Sequence, residues 1–187
     1  VTDATARQEA VDKHKVWVDR AAILGCTSIR VNAHGDEDPN TRRAALVNAL
    51  SQLGEYAASK NINIIIENHG GISSDGSWLS GVIKQVSRGN VGTLPDFGNF
   101  CIEGSPKGEC QNAYDRYKGM DELLPYAKGV SAKSYDFDEN GDQSKMDYAR
   151  LMKQVYASGY RGFIGVEYEG DAQDEFTGVR MPKALQF

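Results

Sequence analysis

Several features are scarce in this sequence of 187 residues, and each scarcity excludes a class of protein. No apolar run approaches the roughly 18 residues of a membrane span, and the longest, over 62–66, has the length of a strand. Basic residues number 21 against 26 acidic ones, a net charge of −5, so the chain lacks the electrostatic footprint of a nucleic-acid binder. Three cysteines and three histidines show no spacing typical of structural zinc. We therefore expect neither a nucleic-acid nor a membrane partner.

The three cysteines leave the cellular compartment open. Cys26 lies between a predicted helix and a strand, where we expect it to pack as a small buried hydrophobe. Cys101 and Cys110 flank a short loop, and a disulfide between them is sterically allowed in an oxidising compartment and unexpected in the cytosol. The first residues show no basic or apolar targeting segment. A cytoplasmic location is favoured, and a periplasmic one stays open because of the cysteine pair.

Hydrophobic periodicity predicts alternating helices and strands in a single domain over 1–187. Helices are expected over 4–24, 41–60, 77–86, 114–126 and 145–157, and strands over 27–32, 62–67, 91–94, 129–134 and 162–168, with a loop and helix over 172–186. This α/β alternation indicates a parallel sheet with right-handed crossovers. Two architectures fit, an open doubly wound sheet or a piece of a (β/α)8 TIM barrel. No glycine-rich phosphate loop follows any of the strands.

Polar residues follow each predicted strand, where parallel folds place their sites. Because side chains alternate along a strand, four strand ends present a pair to one face: Asn32 and His34, Glu67 and His69, Ser131 and Lys133, Glu167 and Glu169. Asp96 and Asn99 follow the remaining strand. A single acid at a strand end usually caps a helix or faces solvent. Three carboxylates from different strands, however, repel one another unless a cation lies between them. Oxygen-rich ligation suits Mg, Mn, Co or Zn.

The sequence resembles the xylose-isomerase-like TIM-barrel superfamily of sugar isomerases, sugar-phosphate isomerase/epimerases and type-two AP endonucleases. The similar stretches are 24–32, 66–71, 94–99, 132–133 and 165–170, in that order. The resemblance implies that the five strands correspond to the last five of the barrel. We therefore expect about 80 further residues of barrel upstream, given the usual total of roughly 250.

The resemblance also implies a metal site and a reaction. Glu67, Asp96 and Glu167 match the three carboxylate ligands of the family, whereas Ser131 replaces its usual histidine and Asn99 a second one. His34 or His69 are candidates to substitute as ligands. The implied chemistry is enolisation of a sugar or sugar phosphate, with Glu67 and Glu167 as acid and base and Lys133 or a divalent metal stabilising the enediolate.

The other polar residues at the strand ends are expected to contact the carbohydrate substrate: Asn32, His34, His69, Asn99 and Glu169. Isomerisation, epimerisation and β-elimination by a keto-sugar lyase share the enolisation step, and a non-catalytic sugar-binding barrel is the alternative outside enzymes. A homo-oligomer is compatible with all of these. An AP endonuclease is disfavoured, because its trinuclear zinc site needs more than three histidines.

The segment 136–147 matches most of the EF-hand calcium loop pattern. It carries Asp147 where that pattern has a bidentate glutamate, and a predicted strand precedes it where the EF-hand has a helix. A polar strand-to-helix loop turning on Asn140 and Gly141, with Ser144 capping the helix, explains the same residues. The sequence therefore predicts no tight calcium binding here.

Overall fold

The computed structural model describes residues 2–35, 38–104, 109–138 and 140–171. Within them, helices and strands alternate as predicted. The helices are α1 (Ala4–Ile23), α2 (Pro39–Ala58), α3 (Gly76–Val86), α4 (Arg116–Leu123) and α5 (Tyr148–Ala157), and short 3-10 helices cover Gly71–Ser74 and Leu124–Tyr126. The strands are β1 (Ser28–Val31), β2 (Asn63–Glu67), β3 (Val91–Leu94), β4 (Cys101–Gly104), β5 (Cys110–Ala113), β6 (Val130–Ser134) and β7 (Ile164–Tyr168). The segment predicted over 172–186 lies outside the described residues.

Five of the strands run parallel, in the spatial order β1, β2, β3, β6, β7. β1 pairs with β2, β2 with β3, and β6 with β7. Parallel bridges from Thr93 to Ala127 and from Asp96 to Ser131 join β3 to β6. Because all five strands point the same way, their carboxyl ends meet at one rim.

The sequence explains how deeply β2 is buried and where the helices begin. Ile64 and Ile66 of β2 are fully buried, while Ile65 on the opposite face is 8% exposed, so both faces of this strand are covered. An aspartate side chain caps each α-helix of the described residues by accepting a backbone N–H. Capping by Asp147 rather than Ser144 explains why α5 begins at Tyr148, three residues later than predicted.

Two expectations about the middle of the chain are refined. The long loop expected after β3 contains an antiparallel hairpin of β4 and β5. A disulfide joins Cys101 to Cys110, with Cα atoms 5.8 Å apart, so of the two states that the sequence left open the structure has the oxidised one.

The expectation that Cys26 is buried is wrong. Its free thiol is exposed. The reason is its place next to β1, which is an outer strand of the sheet. Leu24, at the end of the preceding helix, is likewise 78% exposed.

The two outer strands, β1 and β7, leave apolar side chains uncovered. Trp17, Ile23 and Leu24 are exposed beside β1, and Phe163 and Val166 at β7. Among the described residues, no strand pairs with the outer side of either one. The five strands and their helices thus form part of a barrel wall. No described helix has both the length and the apolar character needed to cross a bilayer.

Candidate active site

Three carboxylates converge at the rim formed by the strand ends. Glu67 is the last residue of β2, Asp96 follows β3 by two residues, and Glu167 lies in β7. One carboxylate oxygen from each lies within 4.8 Å of those of the other two. The strand register explains the convergence, since the Asp96–Ser131 bridge and the pairing of Lys133 with Glu167 align β3, β6 and β7.

Asp96 is fully buried, and its two oxygens have different surroundings. Oδ1 accepts the backbone N–H of Gly98 at 2.8 Å and of Asn99 at 2.9 Å. Oδ2 is buried with no hydrogen-bond partner among the described residues. Burial raises the pKa of Asp96 to about 6, although the charge of Lys133 acts in the opposite direction. Asp96 therefore offers one free oxygen to the centre of the site.

Glu67 is held from two sides. Its side chain is 1% exposed, Oε2 forms an ion pair with Arg30, and Oε1 accepts a hydrogen bond from Asn99 Nδ2 at 3.2 Å. Burial raises the pKa of Glu67, and the neighbouring Arg30 guanidinium partly offsets this effect. The sequence reading assigned Arg30 no role, yet two-residue alternation already places it on the same face as Asn32.

Lys133 is the buried cation of the site. Its side chain is 2% exposed, and its ammonium lies 3.1 Å from Asn99 Oδ1, 3.4 Å from Glu167 Oε1 and 3.3 Å from Glu169 Oε2. Burial, which lowers the pKa of Lys133, is outweighed by the carboxylates of Asp96, Glu167 and Glu169, so its pKa is raised. Lys133 thus remains positively charged among the acids.

Ser131 and Asn99, which replace the histidines of the family pattern, keep contacts within the cluster. Ser131 Oγ donates to Glu167 Oε2 at 3.2 Å. Asn99 is 4% exposed and bridges Glu67 to Lys133 through its two amide atoms. Both positions therefore orient the charged groups.

Asn68 is a structural residue that the sequence reading missed. It is fully buried, and its Nδ2 donates to the carbonyl oxygens of Asp96 and Asn99, both at 3.0 Å. Its Oδ1 accepts the backbone N–H of Asp96 at 2.8 Å. This one amide fixes the loop after β3 against the end of β2, and so sets where Asp96 lies relative to Glu67.

The remaining predicted residues lie beside the carboxylates. Asn32 and His34 are exposed and line a hollow of about 390 Å³ between α1, β1 and α2, which Arg30 also lines. The rings of His34 and His69 meet edge to face, with centroids 6.0 Å apart. In the described part of the chain, no histidine joins the carboxylates of Glu67, Asp96 and Glu167 as a fourth ligand.

The chemistry of the site fits a hard divalent cation. Glu67, Asp96, Glu167 and Glu169 bring four carboxylates together, whereas Arg30 and Lys133 are the cations that pair with them. A cation among the carboxylates would relieve their mutual repulsion, and Asp96 Oδ2 is a buried acceptor without a partner. Ligation by oxygen alone suits Mg²⁺ or Mn²⁺ better than Zn²⁺.

Comparison with known proteins identifies the family. Residues 1–185 match the family described as xylose isomerase-like TIM barrel. The chain belongs to this family, which confirms the predicted fold class and resemblance.

Solved structures show the same fold. A sugar phosphate isomerase/epimerase from Parabacteroides distasonis superposes with a TM-score of 0.73 at 16% identity, over 97% of this chain and 64% of that one. A xylose isomerase-like TIM barrel protein from Mycobacterium smegmatis, in complex with magnesium, gives 0.70 at 18% identity, over 98% of this chain and 70% of that one.

Curated relatives match shorter stretches. The C-glycoside deglycosidase alpha subunit of Arthrobacter globiformis is 43% identical over 51 residues, which are 27% of this chain and 14% of that protein. The 3-dehydroshikimate dehydratase of Pseudomonas aeruginosa is 25% identical over 154 residues, which are 80% of this chain and 23% of that protein. The chain thus matches less than a quarter of the length of either relative. Both are enzymes, and they catalyse different reactions.

Proposed function

We propose that this chain carries the proton-transfer site of a sugar isomerase or epimerase that acts on a keto-sugar or its phosphate. The supporting observation is the convergence of Glu67 and Glu167, from β2 and β7, around the buried ammonium of Lys133. An acid–base pair next to a fixed positive charge is what enolisation of a carbonyl compound requires.

The reaction begins with removal of a proton from the carbon beside the carbonyl. The carboxylate of one glutamate accepts that proton, and the electron pair of the broken C–H bond moves to the carbonyl oxygen, giving an enediolate. Burial raises the pKa of Glu67, which makes its carboxylate a stronger base than one in water. Lys133 stabilises the developing oxyanion through its positive charge.

The second glutamate returns a proton and decides the product. Protonation of the former carbonyl carbon, with transfer of the hydroxyl proton to the other oxygen, gives an isomer. Protonation of the original carbon from its opposite face gives an epimer. Asn32, His34, His69, Asn99 and Glu169 are the residues that we propose to bind the hydroxyl groups of the sugar. A divalent cation held by Glu67, Asp96 and Glu167 would polarise the carbonyl and hydroxyl oxygens of the substrate.

A second candidate is β-elimination from a keto-sugar. Its specific support is the match to a deglycosidase and a dehydratase, and the 3'-dehydrocarminate deglycosidase alpha subunit of a Microbacterium species is a further match, 32% identical over 57 residues, or 30% of this chain and 16% of that protein. The first step is the same proton removal. The enediolate then re-forms the carbonyl and a C=C bond, while the bond to the β leaving group breaks and the second glutamate protonates that group.

The test is exchange of solvent deuterium into the carbon beside the carbonyl, measured by NMR with the full-length protein and a panel of keto-sugars. We expect exchange with the wild type, and a loss of about 10²–10⁴-fold in Glu67→Gln and Glu167→Gln, because each amide keeps the shape and removes the proton acceptor. Glu55→Gln is the control, since Glu55 is 75% exposed and forms its ion pair with Arg88.

Product analysis separates the candidates. An isomer or epimer supports the first proposal, and release of a leaving group supports elimination. Turnover without any solvent exchange, or full activity in both glutamate variants, would contradict the acid–base assignment. Sugar binding without exchange or turnover would indicate a binding protein.

A further inference from the structure

The hydroxyl of Tyr135 is a buried polar group that the proposed chemistry has not yet used. Tyr135 follows β6 directly, two residues after Lys133, so alternation places it on the same face as Ser131 and Lys133. The residue is 2% exposed. Its hydroxyl is buried and has no hydrogen-bond partner among the described residues.

The surroundings of Gly98 locate this hydroxyl in the wall of the site. A Cβ atom built on Gly98 would lie 2.9 Å from Tyr135 Oη and 2.7 Å from Lys133 Cδ. The hydroxyl therefore lies beside the aliphatic part of Lys133, above the glycine whose N–H binds Asp96. Lys145 Nζ lies 4.5 Å from the centre of the ring. The pKa of Tyr135 is raised, mainly by burial, so the phenol keeps its proton and is available as a donor.

Tyr148 shows what a structural tyrosine looks like in the same part of the fold. It is 5% exposed, its hydroxyl donates to the carbonyl oxygen of Ala132 at 2.7 Å, and its ring meets the edge of Phe97. A buried hydroxyl that lacks such a partner reduces stability, and phenylalanine would fill the same space without that penalty. A hydroxyl kept at Tyr135 therefore points to a partner that binds from outside the chain.

We propose that Tyr135 contacts the substrate, donating a hydrogen bond from its hydroxyl to an oxygen of the bound keto-sugar next to Lys133. This inference rests on the proposed function, because it assumes that a keto-sugar occupies the site. It adds a neutral donor to the charged groups, and neutral donors fix the orientation of a sugar oxygen without adding to the net charge.

The side chain of Lys133 controls access to this donor. Its ammonium binds Glu167 and Glu169, whose side chains are 43% and 26% exposed, so the ion pairs are open to an incoming ligand. A lysine on its four-carbon stem can turn without any change of the backbone. If Lys133 turns aside, a sugar oxygen that replaces these contacts would come within reach of the hydroxyl of Tyr135, which lies beside the Lys133 side chain.

The test compares Tyr135→Phe with Tyr148→Phe in the full-length protein. Without sugar, thermal unfolding should show the midpoint of Tyr135→Phe unchanged or higher, and that of Tyr148→Phe lower, because only Tyr148 loses a hydrogen bond. Binding is measured by calorimetry with methyl 3-keto-glucoside in the Glu67→Gln background, where turnover is suppressed. We expect Tyr135→Phe to weaken binding there by tenfold or more, and Tyr148→Phe to leave it within about twofold.

The outcomes separate this inference from the proposed function. Equal sugar affinity with and without the Tyr135 hydroxyl would overturn the inference, as would destabilisation of Tyr135→Phe to the extent of Tyr148→Phe. If the sugar binds, Tyr135→Phe weakens it, and the wild type shows no solvent exchange, the inference holds and the proposed reaction fails. If neither the wild type nor Glu67→Gln binds this sugar or any keto-sugar or keto-sugar phosphate of the panel, both are wrong.

Discussion

The site has two pairs of carboxylates with the same chemistry and different solvation. Glu67 and Asp96 are at most 1% exposed, whereas the side chains of Glu167 and Glu169 are 43% and 26% exposed. β2 and β3 have strand neighbours on both sides, and β7 is an outer strand of the described sheet. Position in the sheet, rather than residue type, thus decides which carboxylates lose water, and burial raises the pKa of Glu67 and of Asp96.

The two pairs also differ in how they are held. The amides of Asn68 and Asn99 and the backbone N–H groups after Asp96 fix the buried pair. The open pair is held by Lys133 and, at Glu167, by Ser131. The buried pair is therefore preorganised, whereas the open pair is exposed to solvent and accessible to a ligand.

The largest effect on stability is expected from Asp96→Asn. An asparagine can keep the two hydrogen bonds that Oδ1 accepts while removing the buried charge. In the folded protein the pKa of Asp96 is about 6, above its ordinary value of 3.8. Asp96 therefore contributes stability when it is protonated, below about pH 4, and this contribution is lost as the pH rises through 6. At about 1.4 kcal/mol per pKa unit, Asp96→Asn should stabilise the metal-free protein by about 3 kcal/mol at pH 8.

Urea unfolding with a chelator present, at pH 4, 6 and 8, measures this difference. The gain should disappear near pH 4, where both side chains are neutral. Glu167→Gln is the matched control on the open side, and its free energy of unfolding should stay within about 0.5 kcal/mol of the wild type. If the wild type is as stable as Asp96→Asn at pH 8, burial does not make the buried carboxylates more costly to ionise than the open ones.

The next effect is smaller and of opposite sign: reduction of the Cys101–Cys110 disulfide should lower stability. The bond closes a segment with a sequence separation of 9 that begins two residues after Asn99, and Asn99 contacts the buried pair. Opening a loop of that size restores entropy to the unfolded chain, worth about 2–3 kcal/mol. The unfolding midpoint should therefore fall in Cys101→Ser/Cys110→Ser and under reductant. Cys26→Ser, with an exposed thiol, should change nothing, and three free thiols in the unreduced protein would refute the pairing.

No effect is expected from calcium at the segment 136–147. Three of its described carboxylates already accept hydrogen bonds: Asp136 from the hydroxyl of Tyr168, Asp138 from the N–H groups of Asn140 and Asp142, and Asp147 from the first turn of α5. Titration calorimetry should show no binding at micromolar calcium. Micromolar affinity that Asp138→Ala abolishes would contradict this.

The parts of the site that the sequence predicted are those that follow strand periodicity. Glu67, Asp96, Lys133 and Glu167 lie at the rim because two-residue alternation and parallel order determine it. The β4–β5 hairpin was missed because its register contains irregularities and its strands are exposed, so no apolar alternation marks it.

The contacts of Arg30, Asn68 and Tyr135 depend on neighbours far along the chain. Arg30 pairs with a residue 37 positions away, and Asn68 binds the backbone 28 and 31 positions away. A single sequence carries no signal for such partners. The burial of Tyr135 likewise follows from packing around Gly98 and Lys133, which sequence spacing does not specify.

Few side chains could take the place of Asn68. Its amide must give two hydrogens to two carbonyl oxygens and receive one from a backbone nitrogen, all inside a closed space. Aspartate has the same shape and would turn an oxygen toward both carbonyls, and glutamine is one carbon too long for the space. Asn68 takes no direct part in proton transfer, yet substituting it is expected to move Asp96, because its amide holds the Asp96 backbone in place.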